Sequence, residues 1–187
     1  MKHGFTIVKR IPASRANVIA NYLDLEHLPV HSGLAGCRVK SETEHAACFE
    51  MTTKVGPFRF RNVHYFEFRP PSEIFHAVKS PLGPMYVLSS VEEIGSGTPD
   101  VRCEVTVQTV IELPALLYPA RALVEKLLRR LNETVLREDR TILDRRQALL
   151  GDYVEDYLRD QQRILFKEVF RRYYSRPGPP SDPVRTS

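Results

Sequence analysis

The sequence has no tryptophan, and only three cysteines and three methionines, among its 187 residues. Cys37, Cys48 and Cys103 are scattered and odd in number. They make neither a disulfide framework nor a spaced metal motif, and are expected as reduced, buried small apolar residues. No apolar run approaches the roughly 20 residues that a membrane helix needs, so no membrane span is expected. Met1 to Ile11 lacks a long apolar stretch and a small-residue cleavage site. The expectation is therefore no signal peptide and a cytoplasmic location.

A block of like charge is also missing. The net charge is +4, and much of the excess lies in Arg129-Arg130, Arg145-Arg146 and Arg171-Arg172. Glu133, Glu138, Asp144, Glu155 and Asp156 are interleaved with them. Interleaving describes a solvated, ion-paired helix face rather than a phosphate track. With no aromatic stacking platform either, nucleic acid is not an expected partner. There is no internal repeat.

The residues that are present describe a folded globular chain, 42% hydrophobic and 27% charged, within the ordinary range for a soluble domain. His3–Ile11 alternates as a first strand. Pro12-Ala13-Ser14 breaks it, and Ser14 is placed to cap a short helix from Arg15 to about Leu25. From Cys37 onward the period is two. Strands are expected at Cys37–Glu42, Ala47–Lys54, Phe58–Phe68, Glu73–Lys79, Met85–Glu92 and Val101–Glu112, separated by Pro- and Gly-rich breaks. Connections this short make antiparallel neighbours. After Pro114 the period becomes 3.6, with Leu116, Leu123, Leu127, Leu128, Leu131, Val135 and Ile142 on one stripe. The helical pattern continues to about Tyr174 with a break or bend at Gly151. The expected division is one domain over residues 1–176 and a disordered Pro-rich tail over 177–187.

Strand, short helix, six strands and one long helix make an α+β arrangement. One helix must cover the concave face of a curved sheet to bury its stripe. This order resembles the START/polyketide-cyclase superfamily, whose helix-grip fold encloses a cavity between sheet and helix. The resemblance implies a hydrophobic small molecule as ligand or substrate.

The segment from Asn21 to His31 carries two histidines four apart, His27 and His31, behind Asp24. On a helix that spacing brings Cβ atoms to roughly 5–6 Å, close enough to converge on one metal ion. A carboxylate from elsewhere would complete a facial triad for non-haem Fe(II). Asp139 falls four residues after Val135 and three before Ile142, on the inward stripe, where a carboxylate needs a partner or a metal. Plainer readings stand beside these. The histidines make a surface pair, Asp139 belongs to a charged helix face, and Asp24 caps the turn at Leu25.

Asn21-x-x-Asp24-x-x-His27 with His31 following also resembles the iron-binding segment of the catalytic domain of Rieske-type non-haem iron oxygenases. Glu138-Asp139-Arg140-Thr141-Ile142-Leu143 is similar to the stretch carrying that family's carboxylate ligand. The resemblance implies iron held by His27, His31 and Asp139, with Asp24 orienting a ligand histidine and Asn21 near the iron. Three residues, including Pro29, separate the histidines where that family usually has four. No Cys-x-His occurs, so the paired Cys and His ligands of a Rieske cluster are missing. A separate electron-transfer protein is implied as a partner.

The expected cavity wall is the even side of the strand from Phe58 to Phe68. It presents Phe60, Asn62, His64 and Phe66, an apolar surface with two polar groups that suits an oriented ligand. A core role for His64 is the plainer reading. Met51, Phe75, Tyr86 and Leu88 are further candidates for the wall. Three functions follow: an iron oxygenase acting on an apolar or aromatic molecule, a metal-free binder of a hydrophobic ligand, and a non-redox cyclase using His64 with a pocket carboxylate.

Overall fold

The period-two segments pair into one antiparallel sheet, as their short connections require. The structure, a computed structural model, describes residues 1–25, 34–55, 58–80, 83–94, 102–150 and 165–174. The strands are β1 (Lys2–Ile11), β2 (Leu34–Glu42), β3 (Ala46–Val55), β4 (Phe58–Arg69), β5 (Glu73–Ser80), β6 (Gly83–Glu93) and β7 (Cys103–Glu112). They form a curved seven-stranded sheet in the order β1-β7-β6-β5-β4-β3-β2. Register shifts along β2 mark irregular pairing at that edge, where bulges bend a strand. With the long helix α2 (Arg121–Leu150), this is the α+β helix-grip fold.

Register decides which side chains meet across the concave face. Phe5, Thr109, Val87, His76, Phe66 and Ala47 form one cross-strand row. Ile7, Val107, Ser89, Ile74 and Phe68 form the next. The strict alternation of β7 puts Cys103, Val105, Val107, Thr109 and Ile111 inside. On β4 the even positions are inward, and Val63 and Tyr65 are exposed. Of the cysteines only Cys103 is fully buried, with Cys37 and Cys48 half-buried, and none of the three is in a disulfide. Burial first, then the nearby Glu93, pushes the Cys103 thiol up to about 12, so it stays protonated and unreactive.

Ser14 caps α1 (Arg15–Leu23), its side chain accepting from the Asn17 N–H at 3.3 Å. The buried residues of α1 include Val18, Ile19, Ala20 and Leu23. The C-terminal helix differs from the sequence reading at its start. Residues Ala115–Ala120, which contain Pro119, form a 3₁₀ turn, because proline cannot donate into a helical ladder. α2 ends at Leu150, next to the expected break at Gly151, and helix α3 (Lys167–Tyr174) packs Val169 and Phe170 into the core. The Leu165 N–H donates to the Leu23 carbonyl at 2.9 Å, tying the segment before α3 to the end of α1.

The expected stripe of α2 is partly displaced. Leu128, Val135, Leu136 and Leu143 face the sheet, whereas Leu116, Leu123 and Leu127 are exposed. Leu131 is also half-exposed at the rim of the cavity, and before Leu128 no apolar surface among the described residues covers Leu123 or Leu127. Polar contacts hold that first part in place. Glu125 accepts from Arg129 at 2.8 Å and pairs with His3 at 2.7 Å. Arg129 also donates to the Thr6 carbonyl at 3.0 Å and lies over the Phe5 ring.

Gly83 opens β6 with φ +120 and no room for a side chain, since a Cβ there would collide with the Glu112 carbonyl oxygen. Gly83→Ala should therefore lower stability by more than about 1 kcal/mol. Urea denaturation should show this as a lower midpoint with an unchanged slope.

Candidate functional site

A cavity of ≈ 280 Å³ lies between the concave face and α2. Its walls are mostly apolar. They include Phe5, Ile7, Met51, Phe66, Val87 and Val107 from the sheet, and Leu128, Val135, Leu136 and Leu143 from α2. Among the described residues seven polar ones interrupt them: Asn21 and Tyr22 from α1, His76, Ser89 and Thr109 from the sheet, and Asn132 and Asp139 from α2. Among the described residues that line it there is no lysine or arginine.

Two polar regions are separable along α2. Asp139 is two turns beyond Asn132, on the order of 10 Å at 1.5 Å per residue. Around Asp139 sit Tyr22 and Ser89. The Tyr22 hydroxyl hydrogen-bonds Ser89, and the negative charge of Asp139 acts on it. Burial is the main cause holding the Tyr22 pKa above its ordinary value; the Ser89 bond opposes that, and Asp139 adds to it. At neutral pH Tyr22 is therefore a protonated phenol beside a carboxylate. Asn21, the neighbour of Tyr22, is only 5% exposed. The side-chain oxygens of Asn21 and Asn132 are buried with no hydrogen-bond partner among the described residues.

The expected site residues are distributed unevenly. Asn21 and Asp139 line the cavity, and Asp139 is 8% exposed. Asp24 is buried at the C-terminal cap of α1 and is not a lining residue. His27 and His31 lie outside the described residues, so their relation to Asp139 is not described. Among the described residues no group of three His, Cys, Asp or Glu side chains could hold a metal ion. On β4, Asn62 and His64 are buried on the inward side, but Phe66 alone of the four expected pocket residues borders the cavity. Asn62 donates to Thr53 at 2.9 Å, Phe60 is half-buried, and His64 sits behind His76. Met51 is in the wall, but Phe75 and Tyr86 stack on each other on the opposite face with Leu88 in the same parity. The β5–β6 register puts Ile74, His76, Val87 and Ser89 inward instead.

His76, Tyr22 and Asn132 were missed from sequence. His76 follows the alternation of Ile74 and Val78, both buried, so period two on β5 was the available signal. Tyr22 adjoins Asn21 on α1, and Asn132 lies seven residues before Asp139; helical spacing could have found both. The two histidines form a buried dyad. His64 Nδ1 and His76 Nε2 are 2.8 Å apart, so one ring donates its proton to the other. The Phe49 ring stacks on His64 at 5.2 Å, and His64 on His76 at 5.0 Å. Burial holds His64 down at about 4. Burial first, then repulsion from His64, keeps His76 well below its ordinary value.

No family model matches the chain, and no curated protein matches it. Solved structures do match. The chain superposes on TTHA0849 from Thermus thermophilus with TM-score 0.60 at 17% identity, covering 75% of this chain and 97% of that one. The Zhui aromatase/cyclase from Streptomyces sp. R1128 gives TM-score 0.65 at 12% identity, covering 78% and 96%. A START superfamily protein from Mycobacterium smegmatis gives 0.59 at 15%, covering 76% and 98%. Identities this low establish a shared fold. Among the described residues no helix is long and apolar enough to cross a membrane.

The dyad makes stability depend on acid. His64 titrates near 6.5 when unfolded and at about 4 when folded, so the unfolded chain binds more protons between those values. Stability is full above pH 6.5 and should fall by about 3 kcal/mol as pH drops to 4. Urea titrations across that range should show the loss. Replacing His64 and His76 together by leucine should flatten it.

Proposed function

We propose that the chain binds a largely apolar, ring-bearing small molecule in the cavity between its sheet and α2. The observation that carries this reading is the cavity's lining: mostly apolar walls interrupted by a minority of polar groups, the composition of a ligand site. A dry cavity of about 150 Å³ holds a benzene, so ≈ 280 Å³ suits roughly two fused rings. The shared fold with an aromatase/cyclase and a START superfamily protein supports a ligand-holding role.

A second reading, a non-redox cyclase, is favoured by one pair of groups. Tyr22 and Asp139 set a proton donor beside a carboxylate acceptor, the two groups that enolisation of a carbonyl ligand needs. In that role Asp139 takes a proton from carbon while Tyr22 gives one to the carbonyl oxygen. This replaces the sequence-derived assignment of acid–base work to His64, which does not border the cavity and is held neutral by burial.

The iron oxygenase reading has less support. Of its ligand set only Asp139 lies among the described residues, and no other described residue completes the site. The partner electron-transfer protein has no support beyond the sequence resemblance. Iron content per chain in protein purified without chelators, compared with Asp139→Ala, decides that reading on its own. Equal content in the two proteins removes it.

Binding is tested by displacement of a fluorescent naphthalene probe. Val87→Trp, at the centre of the concave face, should fill the cavity and weaken the probe at least tenfold, at a stability cost of about 1–3 kcal/mol. Unchanged affinity in a folded Val87→Trp protein would place the probe elsewhere. Tyr22→Phe should leave probe affinity within about twofold, since the ring remains. If the cyclase reading holds, the same change should abolish exchange of the ligand's α-protons.

A further inference from the structure

We infer that the first turns of α2, with the 3₁₀ turn before them, rest on an anionic lipid surface, leucines in the acyl boundary and cations at the headgroups. The inference uses the outer face of the molecule and is independent of what the cavity holds.

An apolar row lies in the open there. Leu123, Leu127 and Leu131 recur every fourth residue and are 58%, 55% and 48% exposed, and Leu116 in the preceding turn is 90% exposed. Residues spaced this way make one line along a helix. Single exposed leucines need no explanation, but a contiguous row marks a contact surface. Leu131 also borders the cavity, so the row ends at the cavity rim.

Charge names what the row meets. Between Ala115 and Asn132 the chain has four cations, Arg121, Lys126, Arg129 and Arg130, and one carboxylate, Glu125. Glu125 is already held by Arg129 and His3. Lys126 and Arg130 are both exposed, and neither has an ion pair among the described residues. Each precedes a leucine of the row by one residue, so about 100° of rotation makes them a second row along one flank. A helix with this pairing of leucines and basic residues lies in the plane of a lipid interface, its long cationic side chains reaching the headgroups. The later part of α2 differs, since Glu133, Glu138 and Asp144 alternate there with arginines.

A second copy of the chain fits this face less well. A twofold axis would set the cations of one copy against the same face of the other. The opposite flank of the row, Ala120 and Val124, offers no carboxylate to answer them.

The test pellets the full chain with vesicles of phosphatidylcholine, and with vesicles that also contain phosphatidylglycerol. The anionic vesicles should bind at least tenfold more tightly, and salt at about 0.5 M should remove most of that preference. Lys126→Glu with Arg130→Glu should abolish the preference, since each cation near such a surface contributes roughly fivefold. Leu123→Gln with Leu127→Gln should weaken binding at least tenfold without changing the melting temperature, because both side chains are exposed. Arg59→Glu with Lys79→Glu makes the same charge change on the outer face of the sheet. That control should stay within about threefold of the unaltered protein, its charges being screened from the lipid. Equal binding to the two kinds of vesicle, or to neither, overturns the inference. Undiminished binding by the leucine pair does so too, as does a loss in the control as large as in Lys126→Glu with Arg130→Glu. A dimer in sedimentation equilibrium that the leucine pair dissociates would give the face to a second copy, and likewise overturns it.

Discussion

One helix has to cover the concave face of seven strands, and it is too narrow to do so. Six strand spacings of about 4.8 Å give a sheet roughly 29 Å across before curvature, against a helix diameter of about 10–12 Å. Curvature brings the two edges closer, and α1 and α3 take part of the remainder. Leu23, Leu165 and Phe170 close that side almost completely. Where α2 spans from Leu128 to Leu143, no further element among the described residues stands between helix and sheet, and the gap persists as the cavity. The site is thus a consequence of how one helix is fitted to one sheet.

That geometry gives the polar lining its significance. Apolar cavity walls lose packing but leave no hydrogen bond unmade, whereas buried amide oxygens without partners lower stability directly. Asn21 and Asn132 occupy positions where leucine would meet the demands of the fold. Retaining polar groups there is the pattern of a site whose requirements compete with those of the core. A ligand that satisfies them also stabilises the folded state by mass action.

The histidine dyad acts differently from these groups. His64 and His76 satisfy part of each other's hydrogen bonding and stack with Phe49, so together they behave as a neutral piece of wall. Neutrality has a consequence for the cavity, because the dyad adds no positive charge to its wall. The same burial that makes the dyad inert at neutral pH makes it a liability in acid.

The fold was legible because it depends on periodicity. Alternation from Cys37 to Glu112 defined the strands, short Pro- and Gly-rich breaks made them antiparallel, and the return to period 3.6 after Pro114 called for a covering helix. Local chemistry was legible too: Ser14 as a cap, and the inward position of Asp139 from its spacing to Val135. Periodicity states that a residue faces inward; it does not state what it faces. Asn62 and His64 share their inward side with Phe66, yet only Phe66 reaches the cavity. Phe75 and Tyr86 are as apolar as a wall requires but fall on the opposite parity. Asn21, Tyr22, Ser89 and Asp139 come from three elements far apart in the chain, and only the seating of α1 against α2 and β6 draws them together. The sequence by itself determined the elements and their order, since these follow from backbone sterics and the hydrophobic period. Tertiary structure alone decided which inner residues border empty space, because a cavity is the volume that packing elements fail to fill.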